Sequence, residues 1–172
     1  MDLATFLRDI PDWPKPGVVF KDITPLLRDP AALAMAVELM ASPFRGKGVQ
    51  VVAGAESRGF IFGTAVAQAL SAGFVPIRKP KKLPAKTTGI TYDLEYGTDR
   101  LEVHTDAITK GQKVLVVDDV LATGGTMKAC LDLVHLLGGE LMGVTVLIEL
   151  AFLHGRDKLK PYDHVHAVMK ID

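Results

Sequence analysis

Two hydrophobic periods alternate along the chain. Short runs rich in β-branched residues recur at 50–53, 74–77, 114–117 and 141–150, as expected of strands buried on both faces. Helical spacing fills the intervals. Asp29-Pro30 offers an N-cap acid and a proline for the first helical position, ahead of a stripe of Leu33, Val37 and Met40 that Ser42-Pro43 ends. Residues 60–70 and 127–137 predict two more helices, the second closing at Gly138-Gly139. Repeated strand, turn and helix predict an α/β domain with a mostly parallel sheet, flanking helices, a small N-terminal cap and ligand turns at the strands' carboxyl ends.

The remaining stretches read differently. Residues 3–10 predict a short amphipathic helix with Leu3, Phe6, Leu7 and Ile10 on one stripe, stopped by Pro11, Pro14 and Pro16. Residues 11–20 then form a stiff connection able to grip a flat heterocycle or simply to pack as an N-terminal arm. Residues 87–97 are polar and punctuated by glycines, a segment able to open and close, and lead into an alternating strand at 100–104. A polar bend at 157–160 precedes a last strand over 163–168. His164 and His166 on that strand read as ordinary strand histidines, since a metal pair has no third ligand at suitable spacing.

Composition narrows the class. A chain of 172 residues with 48% hydrophobic content suits a single domain, 1–172. Zero formal net charge gives no chain-wide attraction to nucleic acid or membrane, and the basic cluster Arg78, Lys79, Lys81 and Lys82 is local. No stretch is long enough to span a bilayer, and the early acids Asp2 and Asp9 speak against a secretory signal. The sole cysteine, Cys130, cannot form an intrachain disulfide, which suits a reducing cytoplasm.

The chemistry concentrates in residues 113–126, KVLVVDDVLATGGT. Its glycines fall between a strand end and a helix start, where free backbone N–H groups and the positive end of the helix dipole favour an anion. Gly124 and Gly125 permit a tight turn and close approach, and the hydroxyls of Thr123 and Thr126 add donors, so Ala122 to Thr126 reads as a phosphate cradle. Asp118 and Asp119 are suited to sugar hydroxyls or to a divalent cation. The plainer alternative is a capped turn with two solvated acids. Neither G-x-x-x-x-G-K-[ST] nor a strand followed by G-x-G-x-x-G occurs, which disfavours a mononucleotide kinase and a dinucleotide oxidoreductase. A second turn, Gly54-Ala55-Glu56-Ser57-Arg58-Gly59, places a cation beside a helix start and again suits a phosphate. Arg78, Lys79 or Lys82 offers further charge for a pyrophosphate.

VLVVDDVLATGGT resembles the phosphoribosyl-pyrophosphate (PRPP) motif of the type I phosphoribosyltransferases. PDWPKPGVVFKDITP, AESRGFIFG, YDLEYG and the strand end Ile148-Glu149-Leu150 are similar to segments of the adenine phosphoribosyltransferases within that family. The resemblance implies the type I phosphoribosyltransferase fold, with an N-terminal hood for base recognition at 1–28 and a flexible catalytic loop at 84–98. It implies that Val19, Phe20, Lys21 and Leu150 contact adenine, although the family often carries Arg where Lys21 stands. Glu56, Ser57, Arg58 and Lys79 would hold pyrophosphate, with a cis peptide at Glu56-Ser57, and Asp118, Asp119 and Ala122 to Thr126 (Ala122, Thr123, Gly124, Gly125, Thr126) would hold PRPP. Glu95 would be the acid/base residue. Mg2+ would act through PRPP near Asp118 and Asp119, in a cytoplasmic homodimer that converts adenine and PRPP to AMP and pyrophosphate. The competing expectations are a transferase for 6-oxopurines and a non-catalytic PRPP-binding regulator. The presence of Arg58 and Glu95, and a length that leaves no room for a helix-turn-helix, disfavour the regulator.

Overall fold

A computed structural model describes residues 1–94 and 96–172. Its centre is a five-stranded, all-parallel sheet built from β3 (Val51–Ala55), β4 (Gly73–Ile77), β7 (Lys113–Leu121), β8 (Glu140–Leu150) and β9 (Val165–Ile171), in the order β4-β3-β7-β8-β9. Alternation along β7 divides the core. Val114 and Val116 face a cluster containing Met127, Cys130, Leu131 and Val134, whereas Leu115 and Val117 face one containing Met40, Phe62 and Val66. Helix α4 (Gly125–Leu136) therefore covers one face, and α2 (Pro30–Ala41) with α3 (Arg58–Ala69) covers the other. Such two-sided cover is what the uninterrupted β-branched runs require.

Local signals place the helix ends. Asp29 accepts bonds from Ala31 N at 3.0 Å and Ala32 N at 2.8 Å and so caps α2. Gly138, at φ +82°, and Gly139 close α4 through N–H bonds to His135 O and Val134 O, a Schellman arrangement. The buried stripe of α2 differs from expectation: Ala32, Ala36, Met40 and Ala41 are fully buried, while Leu33 and Val37 pack at its margin. Small residues let this helix sit close to its neighbours.

Two other expectations are corrected. Residues 3–10 are not one helix but a 3-10 turn at Leu3–Phe6 followed by β1 (Arg8–Pro11), which pairs antiparallel with β2 (Val19–Asp22). Cross-strand ion pairs, Arg8 with Asp22 and Lys21 with Asp9, each at 2.6 Å, favour the hairpin. Thr24–Arg28 forms a short helix, α1. Residues 87–93, at the start of the polar segment, form β5 (Thr87–Asp93), which pairs antiparallel with β6 (Thr98–His104) in a second hairpin. Its polarity fits an element outside the main sheet. The bend at 157–160 belongs largely to a five-residue helix, α5 (Gly155–Leu159). His166 Nε2 lies 2.9 Å from Leu39 O, an ordinary contact between β9 and α2.

Candidate active site

Strands β3 and β7 are neighbours and run parallel, so the turns that leave their carboxyl ends open side by side. Together they line a cleft of about 450 Å³ whose walls are Glu56 to Arg58 on one side and Asp118 to Met127 on the other. Helices α3 and α4 both start at this cleft, and neither has a side-chain cap. Their first N–H groups are therefore available to an anion. Gly124 forms the bend at φ +92°, and a Cβ there would lie 2.6 Å from Gly155 O. Glycine is needed at this position for both conformation and space.

The strand runs further than its apolar core suggests, and Asp118 and Asp119 lie on β7 itself. Arg58 Nε is 2.7 Å from Asp119 Oδ2, and the Arg58 guanidinium stands 5.2 Å from the centre of the Phe20 ring. One cation thus joins the two turns to the N-terminal hairpin. Asp118 Oδ1 accepts the Asp119 N–H at 2.8 Å. Burial, and then the adjacent Asp119 carboxylate, push the Asp118 carboxyl well above its ordinary value. A Cβ on Gly59 would meet Asp118 Oδ1 at 2.9 Å, so α3 starts close against that acid.

The Glu56-Ser57 peptide is cis. Glu56 Oε1 accepts Lys79 N at 2.7 Å and Arg78 Nε at 3.3 Å, tying this turn to the end of β4. Lys79 Nζ reaches Asp99 at 2.8 Å, and this bond raises its pKa. Phe20 packs edge-on against Trp13, with ring centres 4.5 Å apart, and Val19 is exposed. Lys21 is bound to Asp9, and Leu150 ends β8 beside the second core cluster. Val19, Phe20, Lys21, Lys79 and Leu150 are not among the residues lining the main cleft. Glu95 lies outside the described residues.

Sequence reading missed Tyr92 and Asp99. Their strands place them opposite one another, and Tyr92 OH lies 3.4 Å from both Asp99 Oδ2 and Thr126 Oγ1. Reading 87–93 as a strand would have paired them. An adjoining cleft of about 690 Å³ between hairpin and cradle is lined by Asp93, Leu94, Tyr96, Thr123, Gly125, Thr126 and Lys158.

Two helix starts, an acid pair and a flanking cation in one cleft suit a phosphorylated, polyhydroxylated ligand. Residues 23–172 match the phosphoribosyl transferase domain. The chain belongs to the phosphoribosyltransferase family. It is 56% identical over 170 residues to an adenine phosphoribosyltransferase of Rhodopirellula baltica, covering 99% of this chain and 82% of that one. The crystal structure of adenine phosphoribosyltransferase from Thermoanaerobacter pseudethanolicus superposes with a TM-score of 0.95 at 48% identity, covering 98% of each chain. The APRTase of Giardia lamblia complexed with 9-deazaadenine gives a TM-score of 0.93 at 35% identity, covering 100% of this chain and 99% of that one. Among the described residues, no helix is long and apolar enough to cross a membrane.

Proposed function

We infer that this chain transfers the 5-phosphoribosyl group of PRPP to adenine, forming AMP and pyrophosphate. The observation that carries the reading is the convergence of both helix starts with Asp118, Asp119 and Arg58 in one cleft. Amides of Ala122 to Thr126 and the hydroxyls of Thr123 and Thr126 hold the 5′-phosphate. Asp118 and Asp119 orient the ribose hydroxyls. The turn at Glu56 to Arg58, with Lys79 beside it, takes the pyrophosphate. Val19, Phe20, Lys21 and Leu150 border the base.

As the bond from C1′ to the pyrophosphate oxygen breaks, positive charge gathers on the ribose ring, and a ring nitrogen of adenine forms the new bond to C1′. The proton leaving that nitrogen passes to Glu95. Folding of segment 84–98 over the cleft excludes water that would otherwise hydrolyse PRPP. Mg2+ suits the donor set. No group of three or more His, Cys, Asp or Glu side chains gathers for a metal among the described residues, so the ion would draw most of its ligands from PRPP oxygens and water, near Asp118 and Asp119. When bound, it neutralises the leaving pyrophosphate.

The enzyme works as a cytoplasmic homodimer in this reading. The single, buried Cys130 supports a reducing compartment, and a two-fold pair is the commonest assembly of such domains. A panel of purines with radiolabelled PRPP tests the substrate. Adenine should be converted to AMP in preference to hypoxanthine, guanine and xanthine; preference for a 6-oxopurine would overturn the assignment.

A further inference from the structure

Glu149, Gly155 and Arg156 line no part of the main cleft and have no task in the reading above. Gly155, which is buried, opens α5, and its carbonyl oxygen occupies the space that a Gly124 side chain would need. A Cβ on Gly155 would in turn collide with the Ala122 carbonyl oxygen. The phosphate turn and the start of α5 therefore meet backbone to backbone. A five-residue helix has little intrinsic stability, so its position must come from tertiary bonds. Leu159, fully buried in the first core cluster, anchors one end of it. Arg156 anchors the other. Its Nε and Nη2 donate to the two carboxylate oxygens of Glu149, each at 2.7 Å, and its Nη1 donates to Val165 O at 2.8 Å. Glu149 is buried on β8, directly across from Leu121, the residue that precedes the turn.

We propose that Arg156 is a positioning residue for the phosphate turn. Its fork on Glu149 fixes α5, and the Gly155 backbone then sets the curvature that aims the amides of residues 122–126. The inference rests on the assignment of that turn to the PRPP phosphate. Lysine cannot reproduce the role, because an ammonium lacks the planar fork that holds both carboxylate oxygens and the Val165 carbonyl together.

The test compares Arg156→Lys, Arg156→Gln and Gly155→Ala in the full chain, with melting temperature, kcat and both KM values measured. PRPP KM should rise at least about fivefold in each variant while adenine KM stays within about twofold. Calorimetric affinity for ribose 5-phosphate should fall in step with PRPP KM. Where Arg156→Gln does not fold, Arg156→Lys and Gly155→Ala carry the comparison. A lower melting temperature with both KM values unchanged, or equal rises in both, would reduce Arg156 to a purely structural role and overturn the proposal. Thr123→Ala and Thr126→Ala separate the two levels. If they leave PRPP KM unchanged, the turn itself is misassigned; if they raise it and the Arg156 and Gly155 variants do not, this inference alone fails.

Discussion

Arg58 Nε lies 2.7 Å from Asp119 Oδ2, so the cation of one ligand turn is held by an acid of the other. Asp119 is buried, whereas the Arg58 side chain keeps 42% of its exposure. The pair therefore presents a partly solvated guanidinium at the cleft wall, fixed from behind.

Replacing Arg58 should damage both binding and fold. Arg58→Ala removes the cation proposed to face the leaving group, with an expected loss in kcat/KM of about 100-fold. It also strands the Asp119 carboxylate, at a cost of about 1–3 kcal/mol in stability. Steady-state kinetics and thermal melts of the same preparation measure the two effects. Full activity in a destabilised protein would confine Arg58 to a structural role.

Glu95→Gln tests the proposed proton acceptor. A drop in kcat of about 100-fold or more, with both KM values within about twofold, is expected of a residue that acts at the transition state. Single-turnover measurements with adenine and PRPP isolate the chemical step from product release.

Gly124→Ala addresses the geometry of the cradle. The left-handed backbone at φ +92° costs a non-glycine residue about 1–2 kcal/mol, and the added methyl meets Gly155 O. The expected result is a lower melting temperature together with weakened binding of PRPP, read by calorimetry. An unchanged PRPP affinity would show that the bend does not shape the site.

The ion pair between Glu149 and Arg156 predicts an acid dependence of stability. Hydrogen bonds from Arg156 hold the Glu149 carboxyl below the usual range. A depressed folded-state value contributes its full stability above the unfolded value of about 4.3 and loses it as pH falls through the folded value. Glu149→Gln should lower stability at neutral pH by about 2 kcal/mol and flatten the acid limb of the curve of melting temperature against pH. An acid limb identical to that of the parent protein would place the acid sensitivity elsewhere.

The strand and helix alternation and the turns at 122–126 and 56–58 were legible because each rests on contiguous residues. Uninterrupted β-branched runs and helical spacing identify β3, β7, α3 and α4 directly, and glycines with hydroxyls mark the turn that leads from β7 into α4. What stayed hidden depends on partners distant in sequence. Arg8 and Asp22 favour the first hairpin through a cross-strand pair, which overrides a helical stripe at 3–10. Tyr92 meets Thr126 and Asp99 only when the second hairpin forms, and Arg156 meets Glu149 only when α5 folds back on β8. The link from Arg58 to Asp119 is of the same kind: both residues were legible as chemistry, their attachment was not.

Val51 pairs with Val114 in the sheet, and Gly155 lies against the turn at Gly124. During synthesis, the first half of the chain therefore waits for its central partner, and the cradle acquires its backing only after α5 has emerged. On the proposed assignment of this turn to PRPP, nascent chains that stop short of residue 155 should remain blind to that ligand.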